Sequence, residues 1–122
     1  MSDTNIKWLA KPENQDYPAA LSYLSLVFDE KAAKVYIKAL KTAPPTKFKA
    51  KDIFRASGLS LLGVSNSHVR KDRKKIVDGE KLSPILLVRN CEIGKVVIAD
   101  GYHRLCAVYS IDEDALIPSR IV

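Results

Sequence analysis

No apolar run in the 122-residue chain approaches the ~20 residues needed to cross a bilayer, so a helix-spanning membrane protein is excluded at the outset. The first residues, Met1-Ser2-Asp3-Thr4-Asn5, lack the basic-then-apolar order of an export signal, and a cytoplasmic location is expected. Cysteine is scarce: Cys91 and Cys106 fall in different predicted elements and lack ligand-like spacing, which argues against a disulfide framework or a zinc site. They are expected to be a reduced loop thiol and a small helix residue. Internal repeats and low-complexity segments are also missing. Acids are nearly missing from one stretch, since from Lys31 to Lys75 13 Lys and Arg stand against Asp52 and Asp72 alone. A chain of net charge +6 with that asymmetry favours polyanions, whether a nucleic acid or a nucleotide, against the competing reading of a solvated basic face.

What is present, 47% apolar and 28% charged residues, is ordinary for a globular domain, and the length suits one domain with a real core. Residues 1–16 read as a polar arm with an isolated apolar pair, Trp8 and Leu9. Asp16 is the expected N-cap of a helix opened by Tyr17-Pro18, with Leu21, Leu24 and Phe28 on its apolar face. Asp29 is the expected cap of a second helix, in which Ala32, Ala33, Tyr36, Ile37 and Leu40 form the stripe and Lys31, Lys34, Lys38 and Lys41 face water. Pro44-Pro45 ends this helical hairpin, residues 17–43, and the core domain follows over 44–122.

Phe48 to Phe54 reads as a short strand or a helical turn, and Leu59 to Val64 as a short apolar strand or loop. Asn66 or Ser67 caps a third helix, His68 to Asp78, with Val69, Ile76 and Val77 on its buried side and Gly79 at its end. Pro84 to Arg89 and Lys95 to Ala99 read as a β-hairpin whose continuous apolar runs indicate burial on both faces. Tyr102 to Ser110 is a helix, Asp112 to Asp114 an acidic loop, and Ile117 to Val122 a last strand. The fold class is therefore α/β (α+β): a small mixed sheet with helices and an added N-terminal hairpin.

The chemistry concentrates where a strand runs into a helix through one glycine, Val97-Ile98-Ala99-Asp100-Gly101-Tyr102-His103-Arg104. Backbone N–H groups left unpaired at a helix start, together with the helix dipole, favour an anion. Gly101 permits unusual backbone angles or a close ligand approach. His103 and Arg104 stand in the first turn, and the planar arginine fork suits phosphate oxygens. The competing reading is a tight turn in which Arg104 pairs with Asp100.

These residues, with Leu82 to Val88 before them and Ile117-Pro118-Ser119-Arg120-Ile121-Val122 after them, resemble the ParB/sulfiredoxin superfamily over residues ~52–122. Its strand-to-helix motif G-x-x-R-x-x-A reads here Gly101-Tyr102-His103-Arg104-Leu105-Cys106-Ala107. The resemblance implies a bacterial-type, ParB-like nucleotide-binding domain that would take ATP or CTP with Mg²⁺. It implies phosphate contacts from Gly101, Tyr102, His103 and Arg104, joined by His68 on the preceding helix and by Arg55. Asp100 is then the candidate for Mg²⁺ or, with His103, for acid–base work in phosphoryl transfer or nucleotide hydrolysis. The alternative for Asp100 is an Asp bonded within its own turn.

The departures are informative. Tyr102 stands where sulfiredoxin has its catalytic cysteine, so no reductase of that type is expected. Tyr102 and His103 replace the Glu and first Arg of the ParB signature, and neither a helix-turn-helix nor a dimerisation segment follows Val122, so the clamp mechanism is not implied. An alternative function is a nucleic-acid-binding module that uses the Lys31–Lys75 surface, above all Arg70, Lys71, Arg73, Lys74 and Lys75. No aromatics interleave with those residues, so such binding would be salt-sensitive and without base stacking. A further alternative is a protein-interaction domain whose partner is set by the hairpin.

Overall fold

The computed structural model describes residues 5–63 and 65–122. The elements run α1 (Asp16–Val27), α2 (Glu30–Thr42), β1 (Thr46–Lys49), α3 (Ala50–Ser57), α4 (Ser67–Val77), β2 (Ile85–Asn90), β3 (Lys95–Asp100), α5 (Tyr102–Ile111) and β4 (Leu116–Ile121). The four strands form one mixed sheet in the order β1-β4-β2-β3. β4 lies parallel to β2, with Leu87 beside Ile121, while β1–β4 and β2–β3 are antiparallel. The chain is thus an α+β domain of three layers, with helices on both faces of the sheet.

β2 is central, and Ile85, Leu86, Leu87 and Val88 are all buried. Alternation sends them to opposite faces. Ile85 and Leu87 pack with Ile98, Ile117, Ile53, Leu105 and Val108 beneath α3 and α5. Leu86 and Val88 pack with Ala99 against Ala20 and Leu24 of α1 and Ala33, Ile37 and Leu40 of α2. The helical hairpin therefore covers the β2–β3 part of one face of the sheet.

Asp29 caps α2 as expected, accepting from the Ala32 N–H at 2.7 Å, and Asn66 caps α4, accepting from His68 and Val69 at 3.0 and 3.2 Å. Phe48 to Phe54 is both of the expected alternatives in sequence, the end of β1 running into α3. The start of α3 has no side-chain cap; instead Ala50 and Lys51 donate to the carbonyls of Ala115 and Glu113, both at 3.0 Å. The acidic loop is thereby docked, and Asp114 pairs with Lys51 at 2.7 Å. Leu59 to Gly63 has no regular structure, and Val64 lies outside the described residues.

Three expectations are corrected. Asp16 is not the cap of α1. It is the helix's first residue, is only 6% exposed, and accepts from the Glu13 N–H at 3.0 Å and from the Ser83 hydroxyl. Val77 is exposed, because Val69 and Ile76, seven residues apart, share a helix face and Val77 stands one residue further round. Trp8 and Leu9 do not lie in a free arm. Trp8 bridges Leu82 as a short parallel strand would, with Leu9 N–H donating to Leu82 O at 2.8 Å and Leu82 N–H to Lys7 O at 2.9 Å. Among the described residues no helix is long and apolar enough to cross a membrane.

Candidate functional site at the β3–α5 turn

β3 ends at Asp100 and α5 starts at Tyr102, so the whole reversal falls on Gly101, whose φ is +104°. Having no side chain, Gly101 leaves α5 without a side-chain cap, and the first intrahelical bond runs from Leu105 N–H to Gly101 O at 2.9 Å. The amides of Tyr102, His103 and Arg104 precede any intrahelical acceptor. They stand at the positive end of the helix dipole. This end opens on a groove of about 420 Å³ lined by Ile98 to His103, by Leu59, and by Ala19 and Tyr23 of α1.

Each expected site residue has a definite place. Gly101, Tyr102, His103 and Asp100 line the groove together. His68, at the start of α4, brings its ring to 4.8 Å from that of His103, centroid to centroid. Burial, followed by the neighbouring His68, holds the His103 imidazole below its usual pKa; Asp72 opposes this and Arg104 adds to it. Tyr102 donates its hydroxyl to the Ser60 carbonyl, strapping the 59–63 segment to α5, and burial raises its phenol pKa.

Arg104 does not line the groove. Its Nη2 turns back to Asp100 Oδ2 at 3.1 Å and to the Pro84 carbonyl at 3.4 Å, with both charged side chains only 18% exposed. Arg55 is exposed on α3 and pairs there with Asp52 at 3.3 Å, outside the groove lining.

The carboxyl of Asp100 is pushed up by burial. Arg104 opposes that shift and the carboxyl of Asp16 reinforces it. Asp16, Ser83, Asp100 and Arg104 therefore join the start of α1, the entry to β2, the end of β3 and α5 in one polar chain. Sequence reasoning missed Asp16 and Ser83, because an Asp at a helix start carries the signal of a cap. It also missed Tyr23 and Ala19, which lie off the apolar stripe of α1. Among the described residues no group of three or more His, Cys, Asp and Glu is placed to hold a metal ion. Cys91 is an exposed free thiol, and Cys106 is a buried one whose pKa is raised by burial, which disfavours the nucleophilic thiolate.

On α4, Arg73 is tied to Ser110 at 2.5 Å and Lys74 to Asp78 at 2.8 Å, while Arg70, Lys71 and Lys75 make no ion pair among the described residues. No family model, curated protein or solved structure matches the chain.

Proposed function

We propose that this domain binds a phosphate-bearing small molecule, a nucleotide in the leading case, with the phosphate at the start of α5. One observation carries the reading: an uncapped helix N-terminus opens into a groove of about 420 Å³ with two imidazoles in ring contact on its flank. Backbone donors and the helix dipole supply the anion site. His103 and His68 supply ring N–H donors. The resemblance to the ParB/sulfiredoxin superfamily rests on this same turn and is what adds the nucleotide, ATP or CTP, to the phosphate.

The contact set loses two of the residues that the resemblance nominates, Arg55, which lies outside the groove, and Arg104. Arg104 acts from behind, holding Asp100 and the turn, and the groove-facing contacts fall to Gly101, Tyr102 and His103, with His68 behind the His103 ring. Asp100 is a poor sole protein ligand for Mg²⁺, because its carboxyl already pairs with Arg104. A metal would rely on the phosphate oxygens of the ligand itself.

The test is a thermal-shift panel of ATP, ADP, CTP, GTP, pyrophosphate and phosphate, with and without Mg²⁺, on wild type and on His103→Gln and His68→Gln. A ligand at ~100 times its Kd should stabilise the native state by ~2.7 kcal/mol. Selective stabilisation that both variants diminish supports the reading. It fails if no phosphate compound raises the melting temperature, or if the variants respond as wild type does. A salt-dependent shift with duplex DNA, unchanged in both variants, would point instead to Arg70, Lys71 and Lys75.

The imidazoles give a separate expectation. Followed by NMR, free His103 should titrate below the ordinary ~6.5. Its folded-state pKa is depressed, so its contribution to stability is present above pH ~6.5 and is lost as pH falls towards the folded pKa. A bound phosphate favours imidazolium, so saturating ligand should move the His103 midpoint upward. A midpoint that stays in place under saturation would place the ligand elsewhere.

A further inference from the structure

α3 is only eight residues long, and the sheet face beneath it extends past its cover towards the β2–β3 turn. There the row Ile85–Leu87 of β2 continues to Arg89, and Val96 of β3 and Ile121 of β4 flank it. The result is a hollow of about 200 Å³ with a floor of Leu87, Val96 and Ile121 and with Ala56 on its wall. A second hollow of about 210 Å³ adjoins it, sharing Ala56, Arg89 and Val96 and reaching Lys95. The apolar floor is unusual in having uncompensated cations at its mouth. Arg89 and Lys95 make no ion pair among the described residues, whereas the one acid on the rim, Asp52, is engaged by Arg55 at 3.3 Å. Glu92, exposed in the turn, lines neither hollow.

An arginine and a lysine beside a solvent-open apolar hollow complement a molecule with an apolar body and an anionic head. The size restricts that body. The first hollow falls below the ~300 Å³ at which sites for drug-sized ligands begin, so it accommodates a short chain or a single ring. A carboxylate is the head that the arginine fork pairs with in two parallel bonds. We propose that the hollow between α3 and the β2–β3 hairpin is a second binding site, for a small apolar carboxylate whose head is held by Arg89 with Lys95 beside it. The site shares no lining residue with the β3–α5 groove, so the two readings stand or fall separately.

The test uses the full chain with methyl-labelled Leu, Val and Ile, titrated with hexanoate, hexan-1-ol and acetate. Hexanoate is expected to shift the methyl signals of Leu87, Val96 and Ile121. Hexan-1-ol should bind about tenfold more weakly for want of a charge-assisted bond, and acetate should have no effect at these methyls. Arg89→Gln should remove the preference for hexanoate over the alcohol, and Ala56→Leu, which fills the hollow, should block both. Both changes are at partly or fully exposed positions, and Arg89→Gln alone decides the matter should Ala56→Leu disturb the fold. The proposal is overturned by equal affinity for hexanoate and hexan-1-ol in wild type, by shifts centred on the Leu59 and Ile98 methyls of the other groove, or by no movement of the Leu87, Val96 and Ile121 methyls.

Discussion

Gly101→Ala is expected to cost about 2–5 kcal/mol of stability, lowering the melting temperature by roughly 8–20 °C. Two separate penalties add. At φ +104° an L side chain is strained against its own backbone, a cost of about 1–2 kcal/mol for a left-handed residue. The added Cβ would also penetrate the Ile85 Cγ2 methyl and stand 2.9 Å from Ile85 Cβ and from Arg104 Nη2. Ile85 is fully buried at the start of the central strand and cannot swing aside. Overpacking of this kind costs about 1–3 kcal/mol more. Gly94→Ala is the control, since its φ is +65° and an added Cβ meets nothing within 4 Å, leaving the backbone term alone. Urea denaturation of both variants separates the two penalties. Equal losses at the two positions would show that close packing on Ile85 does not shape the turn.

The contrast between those glycines marks what could be read from the chain alone. Gly101 stood out because a β-rich run met a helical one with a single residue between them. That it sits against Ile85 required the fold, because β2 and the turn are brought together only by the hairpin and by α5. The same division holds elsewhere. The unbroken run Ile85-Leu86-Leu87-Val88 announced a strand covered on both sides, and the two helix faces that cover it were legible as apolar stripes. The caps Asp29 and Asn66 were legible because their bonds span two or three residues. Asp16 has the same residue type in the same apparent place, yet its carboxylate serves Ser83 and Asp100, which are remote in sequence.

Arg104 illustrates why the candidate site was only half legible. A fork aimed at a phosphate and a fork closed on Asp100 share one sequence, and the i, i+4 spacing across a strand–helix junction permits either. Burial decides between them: with both side chains 18% exposed and Asp16 adding negative charge nearby, the arginine is the nearest compensation for a carboxylate cluster. The groove wall from Ala19 and Tyr23 had a faint signal, an aromatic residue off the core stripe of α1. Its meaning depended on which sheet face the hairpin covers.

Arg104→Met follows from that geometry and should cost about 2–4 kcal/mol near neutral pH, somewhat under the 3–5 kcal/mol typical of halving a fully buried pair. Methionine keeps much of the apolar stem, so the loss is chiefly electrostatic. Asp100 is already pushed above its ordinary pKa by burial, with Arg104 the main opposing influence, so removing the guanidinium raises it further. A carboxyl whose pKa is higher folded than unfolded favours the native state when protonated and penalises it as pH rises through the folded value. The deficit of Arg104→Met should therefore be small near pH 4 and grow towards pH 7.5. Adding Asp100→Asn removes the unpaired charge and should recover most of the loss while flattening the dependence on pH. Urea midpoints of the single and double variants at pH 4.5 and 7.5 check both statements; a deficit independent of pH, or a double variant no more stable than the single, would show that the pair does not carry the turn. The same reasoning governs how ligand binding is to be tested. A ligand lost on substituting Arg104 reports a loosened turn as readily as a lost contact, whereas His103 lines the groove and His68 stands against its ring, neither in a salt bridge among the described residues, and their variants separate recognition from architecture.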